Sequence, residues 1–363
     1  MPLLETPVPP SVTIWSENPE LTREGQLEKP VRVYVADTEA SERMGLAAQL
    51  AADADFEPRF GDELVASATT IETTVGDAEV LCVTLGGVSA AAIEAATDLR
   101  LILKCGSGVN NIDIATAQQR GIPVLHTRGA NFASVAEYVI GAIIALNRRL
   151  VEFDRVVREG KWQETRQRWA GQLPALTGKV LGVVGVGSIG AEVARLGRAH
   201  GMQVLGCDPR LDPVAGAELG LELVSKEQLL ERADVVSLHL ALNEATAGFI
   251  SEPELARMKP TALLVNTARG SVVDEKALAR ALASGQIAAA AIDVFEQEPL
   301  PRGSELAGLD NCLLSPHLSG CTDYGYAEIG EAAIELLRLF LEGRPLPSRA
   351  VVTAPPGLVV EPG

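Results

Sequence analysis

Three titratable side chains follow short apolar runs in the second half of the chain, and their types suit one kind of chemistry. Arg269 closes "LLVNTARG", Glu298 lies just beyond "AAAIDVF", and His317 ends "CLLSPH". An arginine holds a carboxylate through two parallel hydrogen bonds and polarises a carbonyl beside it. A histidine, titrating near neutrality when unperturbed, gives and takes a proton at a carbonyl oxygen. A glutamate nearby holds the imidazole in one orientation. Singly, each has an ordinary explanation: a capping arginine, a loop charge before Pro299, a strand-end histidine. Together, each behind an apolar strand, they are candidates for hydride transfer with acid–base help. His126 and His200 read only as structural residues, and His239 in "SLHLAL" is expected to line the ligand crevice without a proton role.

The stretch "VLGVVGVGSIG" supplies a binding turn that such chemistry needs. An apolar strand runs into Gly185-Val186-Gly187-Ser188-Ile189-Gly190, and a helical pattern starts at once. The first glycine permits a tight turn, the second lets a pyrophosphate approach the backbone, and the third allows close helix–strand packing. The helix N-terminus adds unpaired N–H groups and a favourable dipole. A second strand, "QVLGCD", ends at Asp208, roughly 20 residues on, where a carboxylate meets adenosine ribose hydroxyls. That carboxylate would repel a 2′-phosphate, so NAD is expected over NADP, with Arg210 as the feature against it.

Positioning these residues takes strands whose carboxyl ends gather along one crevice. Short apolar runs such as "VRVYVAD", "AEVLCVTLG", "LRLILKCGSG" and "IPVLHT" alternate with helical ones, which means βαβ units and parallel sheets. A long helix is expected from about Ser134 to Arg149, capped by Asn131 or Ser134. "VREGKWQETRQRWAG" reads as a polar connector, and the alternation restarts at "GKVLGVVGVGSIG". A last helix is expected from about Asp323 to Glu342, ahead of a Pro-rich tail. The pattern predicts an α/β protein of two lobes joined by a pair of helices. Residues 1–30, rich in Pro, Glu and Thr and without periodicity, read as an extension.

At 363 residues, 47% apolar and 22% charged, the chain is long enough for two or three globular units. Its 31 basic against 48 acidic side chains leave a net charge of −17, which repels phosphates, so no nucleic-acid partner is expected. The five cysteines form no CxxC pair and each lies in or beside an apolar run. Buried free thiols, a reducing compartment and no metal site are expected from that pattern. The first residues lack a signal-peptide pattern, and "VAEYVIGAIIAL" is too short to span a bilayer. A cytoplasmic protein without membrane contact is the expectation.

The motifs "KCGSGVNNID", "SVAEY", "GVGSIG", "MKPTALLVNTARGSVVDEKAL", "AAIDVFEQEPL" and "SPHLSG" follow in that order. As a set they resemble the D-isomer-specific 2-hydroxyacid dehydrogenase family over roughly residues 31–345. That family includes phosphoglycerate dehydrogenases and glyoxylate/hydroxypyruvate reductases. The resemblance implies two Rossmann-like, doubly wound parallel-sheet lobes, the substrate lobe discontinuous. The boundaries it implies are an extension 1–30, a substrate lobe 31–129 plus 319–345, a cofactor lobe 130–318 and a tail 346–363. It implies that Arg269 binds the substrate carboxylate, Glu298 orients and tunes the histidine, and His317 is the proton donor. NAD contacts are implied at Gly185, Gly187, Ser188, Ile189, Gly190, Asp208, Thr267, Ala268, Arg269 and Asp293, the last at the nicotinamide carboxamide. The backbone of Gly106, Ser107, Gly108 and Val109 would bind the substrate carboxylate from the other lobe, and a homodimer through the cofactor lobe is expected.

Val83 stands where phosphoglycerate dehydrogenases of the family commonly carry an arginine, and Thr84, Leu85, Gly86 and Gly87 add no charge. No regulatory domain is expected beyond the last helix. A small anionic D-2-hydroxyacid or 2-oxoacid is therefore expected in place of phosphoglycerate. The alternative is an NAD(H)-sensing partner switch, as in transcriptional corepressors that resemble this family. The complete Arg–Glu–His set argues against that alternative.

Overall fold

The computed structural model describes residues 29–61 and 75–361, so residues 1–28 of the expected extension lie outside the described residues. The chain divides into two compact units. The first takes in the described residues up to Asn131 and from Asp323 onward, and the second is Phe132–Thr322.

In the first unit β1 (Val31–Val35), β2 (Phe56–Phe60), β3 (Val80–Val83), β4 (Leu101–Lys104) and β5 (Val124–His126) run parallel. The central residues of β1, β3, β4 and β5 are apolar because helices cover both faces, and Val33, Leu81, Leu103 and Leu125 are fully enclosed, whereas the edge strand β2 exposes Glu57 and Arg59. Side-chain caps start the crossover helices. Ser89 accepts the Ala92 N–H at 3.1 Å ahead of the Ala90–Ala95 helix, and Asp113 accepts that of Thr116 at 2.9 Å ahead of Ile114–Gln119.

The second unit opens with the Phe132–Asn147 helix, which begins two residues before the expected start at Ser134. The stretch read as a polar connector is, together with the residues just before it, largely helical, forming Leu150–Arg158 and Trp162–Trp169. Its few apolar residues serve each other: the Phe153 and Trp169 rings meet edge to face at 6.0 Å, with the Arg149 guanidinium 4.6 Å above Trp169. Short helices thus form here without a long apolar periodicity.

There follow β6 (Val180–Val184), β7 (Gln203–Cys207), β8 (Glu222–Leu223), β9 (Val235–Leu238), β10 (Leu263–Asn266), β11 (Ala289–Ile292) and β12 (Cys312–Leu314). They form one parallel sheet in the order β12-β11-β10-β9-β6-β7-β8. The order reverses between β6 and β9, where a doubly wound sheet opens a crevice at its carboxyl edge. One face packs Val135, Val139 and Ile143 onto Leu181, Val183 and Val265, and the other packs Leu229, Leu278 and Leu282 onto Val236 and Leu264.

The Asp323–Leu341 helix belongs to the first unit and packs Ile329, Ala333 and Leu337 against Met44, Leu46 and Leu50. The Pro-rich segment beyond it is not a loose tail: β13 (Val351–Thr353) pairs antiparallel with β5. The Thr353 hydroxyl oxygen accepts the Val124 N–H at 2.9 Å, so a polar residue that looked like tail composition closes a ladder. The sheet order is β13-β5-β4-β3-β1-β2, with its reversal between β1 and β3. Among the described residues no helix is long and apolar enough to cross a membrane, and no cluster of His, Cys, Asp or Glu is arranged to hold a metal ion. Cys82 and Cys105 are buried and Cys207 and Cys312 half-buried, but Cys321, expected inside, is exposed in the loop after β12.

Candidate active site

Strand β6 delivers the chain into the glycine turn at the point of sheet reversal. Gly185 has φ +85°, and a Cβ there would lie 2.6 Å from the His239 carbonyl oxygen, so neither the conformation nor the space admits a side chain. A Cβ on Gly190 would lie 2.1 Å from the Gly185 carbonyl, which fixes how closely the Ser188–Ala199 helix sits. Nothing lies within 4 Å of a Cβ on Gly187. The protein's own packing does not require that glycine, and the space above it is free for a ligand. Ser188 is exposed and Ile189 half-buried at the first turn of the helix.

Asp208 follows β7 and is buried, and Oδ2 accepts the Val186 N–H at 2.9 Å. Arg210 turns back onto it, its N–H at 2.9 Å and its guanidinium at 3.1 Å. Burial pushes this carboxyl up, but the Arg210 side chain, the Arg210 N–H and the Val186 N–H outweigh that and hold it below the usual carboxylate range. The side chain expected to meet a ribose is thus covered by an exposed arginine.

Strand β10 ends at Asn266, 1% exposed, whose side chain braces the next turn in both directions. Its Oδ1 accepts the Ala268 N–H at 3.0 Å and its Nδ2 donates to the Arg269 carbonyl at 3.0 Å. Within that turn the Thr267 hydroxyl is buried with no hydrogen-bond partner among the described residues. Such an orphan is costly unless a ligand completes it. Arg269 donates to the Ala268 carbonyl at 2.5 Å and makes no salt bridge among the described residues. Burial pulls its pKa down, and the charge of Glu298 opposes that.

The ends of β11 and β12 carry the other two groups. Glu298 Oε1 accepts the Phe295 N–H at 3.0 Å, which fixes the carboxylate, and Oε2 meets His317 Nδ1 at 2.8 Å. With Glu298 as acceptor, Nδ1 carries the hydrogen and Nε2 is the nitrogen left for chemistry. His317 has φ +56°, a left-handed conformation that costs a non-glycine residue on the order of 1 kcal/mol. Asp293, fully enclosed at 0% exposure, holds this segment. Its Oδ1 accepts the Ser315 hydroxyl at 2.5 Å and the Leu318 N–H at 3.0 Å, and its Oδ2 accepts the Ser319 N–H at 2.9 Å.

Arg269, Glu298 and His317 are thus brought together within the second unit, around the carboxyl ends of β10, β11 and β12. Gly106, Ser107, Gly108 and Val109 belong to the first unit, half-buried at the end of β4, with the Gly106 N–H donated to the Thr127 hydroxyl at 2.8 Å. The structure adds Asn266, Ser315 and Tyr138, whose hydroxyl lies 2.5 Å from that of Ser315. A polar residue terminating an apolar strand, as in "LLVN" and "CLLS", was the available signal for the first two. Desolvation lowers the pKa of His239 to about 3, so it stays neutral beside Ser237 Oγ at 2.9 Å. His126 bridges the Ser107 and Arg349 carbonyls, and His200 is exposed.

The open space over Gly187, the helix N-terminus and the orphaned Thr267 hydroxyl fit a dinucleotide. Residues 140–319 match the model for the D-isomer specific 2-hydroxyacid dehydrogenase, NAD binding domain. The chain is 40% identical to a glyoxylate reductase of Korarchaeum cryptofilum over 301 residues, covering 82% of this chain and 91% of that one. It is 38% identical to a D-3-phosphoglycerate dehydrogenase of Archaeoglobus fulgidus over 268 residues, covering 74% of this chain but 50% of that one. Among solved structures it is similar to the TT0316 protein of Thermus thermophilus, with a TM-score of 0.75 and 32% identity over 91% of this chain and all of the other.

Proposed function

The chain belongs to the D-isomer specific 2-hydroxyacid dehydrogenase family and is an NAD-dependent enzyme of that class, and on that premise we propose how its residues divide the work. The second unit is the cofactor lobe and the first the substrate lobe. NADH, when bound, supplies the hydride that reduces the 2-oxoacid, and NAD⁺ receives it in the reverse direction. Gly185–Gly190 with Ser188 and Ile189 would hold the pyrophosphate, and Thr267, Ala268 and Asp293 line the nicotinamide end. Asp208 meets the ribose once Arg210 swings out from over it.

Arg269 holds the substrate carboxylate with paired N–H bonds, and the backbone of Gly106–Val109 is the substrate-contacting stretch of the first unit. His317 is protonated before reduction and gives its Nε2 proton to the carbonyl oxygen, which becomes the hydroxyl of the product. The ring is left neutral, with Nδ1–H still on Glu298, and recovers its proton from water. Oxidation runs the same steps backwards. Glu298 is the positioning residue for that imidazole. The substrate is a small 2-oxoacid: the loop after β3 offers Thr84, Leu85, Gly86 and Gly87, with no charge for a phosphate. A glyoxylate reductase among the relatives points the same way.

The observation that carries this reading is Glu298 bonded to His317 at 2.8 Å while its charge acts on Arg269, an arginine without a salt bridge among the described residues. His317→Asn is expected to lower kcat by about 100- to 10,000-fold and leave NADH binding intact by fluorescence titration. An unchanged kcat would sink the assignment, and a screen of 2-oxoacids by NADH absorbance identifies the substrate.

A homodimer is part of the same reading. Leu150, Val151, Val157 and Trp162 are exposed on two successive helices of the second unit, which supports a second copy there. Sedimentation velocity is expected to give twice the chain mass, and a monomer at micromolar concentration would refute it. The free cysteines accord with a cytoplasmic setting.

A further inference from the structure

Every side-chain hydrogen bond of Asp293 goes to the segment that carries His317. Its carboxylate takes the Ser315 hydroxyl and the N–H groups of Leu318 and Ser319, and its carbonyl takes the His317 N–H at 2.8 Å. Ser315, His317, Leu318 and Ser319 are thus fastened to one enclosed residue, on both sides of the left-handed backbone. Bonds from N–H and O–H donors to a carboxylate are short and stiff. A mere spacer would not need three of them.

The anchoring extends to another element. Tyr138, on the Phe132–Asn147 helix, places its Oη 2.5 Å from Ser315 Oγ. The Ser315 proton is committed to Asp293, so the phenol is the donor to Ser315. Two O–H donors therefore point the same way, from the helix through Ser315 to the carboxylate, and each strengthens the next. Burial raises the Tyr138 pKa, which keeps its proton in place.

We propose that Tyr138, Ser315 and Asp293 form one positioning chain that sets the pose of His317, and with it the approach of Nε2 to the substrate. The proposal rests on the reading of His317 as proton donor. It gives Asp293 a task separate from any bond to a nicotinamide carboxamide, and Tyr138 a task that nothing in its sequence position suggests. The chain acts on the orientation of a proton donor, so its loss is expected in kcat and not in substrate binding, which Arg269 retains.

Tyr138→Phe and Ser315→Ala are expected to lower kcat by about 2- to 10-fold each, the worth of one hydrogen bond in the transition state. KM for the 2-oxoacid and the NADH dissociation constant should stay as in the parent. Both variants cut the same link, so the double variant is expected to lose no more than the larger single. Asp293→Asn is expected to cost about 100-fold in kcat, the scale of a misplaced catalytic group, measured at saturating NADH so that any change in cofactor affinity is separated from it. Full kcat in Tyr138→Phe and Ser315→Ala, or additive losses in the double variant, overturns the chain. Weak NADH binding with unchanged kcat in Asp293→Asn gives that residue to the cofactor and also overturns it. His317→Asn is measured alongside: if that variant turns over, the proton-donor reading and the chain fall together. If it is inactive while the Tyr138 and Ser315 variants keep the full kcat of the parent, the chain alone falls.

Discussion

In the proposed division of work, a partly buried guanidinium with no salt bridge among the described residues sets the affinity of the site for acids. Arginine tolerates that environment because it remains charged even where desolvation pulls its pKa down. A lysine would not, since the same burial lowers an ammonium that starts near 10.4. Arg269→Lys is therefore expected to lose roughly 10- to 100-fold in kcat/KM at neutral pH, for want of a paired charge-assisted bond. The loss should deepen as pH rises, because the lowered folded pKa discharges the ammonium early. A flat kcat/KM profile for that variant would mean that the site is more solvated than the burial of Arg269 indicates. At this scale the sequence made Arg269, Glu298 and His317 visible because charged types stand out behind apolar runs. Tyr138 was not visible, since a tyrosine in an apolar helix looks like core until its hydroxyl is seen beside Ser315.

What joins the β10 turn to the loop after β11 is a glycine. A Cβ on Gly270 would lie 1.8 Å from the Phe295 carbonyl carbon and 2.3 Å from the Glu296 N atom. These are backbone atoms, which cannot rotate away. Gly270→Ala is expected to push the two segments apart, to lower kcat about 100-fold through the spacing of Arg269 and Glu298 and to cost about 1–3 kcal/mol of stability. Thermal unfolding and steady-state kinetics check both, and an alanine variant with full activity would show that the segments move independently. Elements such as β6 and β10 were legible because strands buried on both faces must be apolar throughout. The Leu150–Arg158 and Trp162–Trp169 helices were not, because neither has a buried residue to mark a face. β13 was hidden for another reason: three residues among prolines carry no periodicity, and their partner β5 is remote in sequence.

Over the whole molecule a net charge of −17 surrounds a reaction whose substrate is an anion. Surface charges act over about 10 Å at 0.1 M salt, whereas the buried Arg269 contact is screened far less. Raising ionic strength from about 10 to 150 mM is expected to lower KM for the 2-oxoacid modestly, as repulsion is screened first. A KM that rises with salt would show that the local positive field governs capture. The division into two units was legible from the interruption of the strand–helix alternation by one long helix, and not from any change in composition. The pairing of Thr353 with Val124, 229 positions apart, bears on how the protein is made. During synthesis from the N-terminus, Phe132–Thr322 emerges and can close its own sheet while the first unit still lacks its edge strand. Until then β5 is the open edge of its sheet and presents a bare row of peptide groups; once β13 has left the ribosome that row is paired, and the three-residue β13 is the edge in its place.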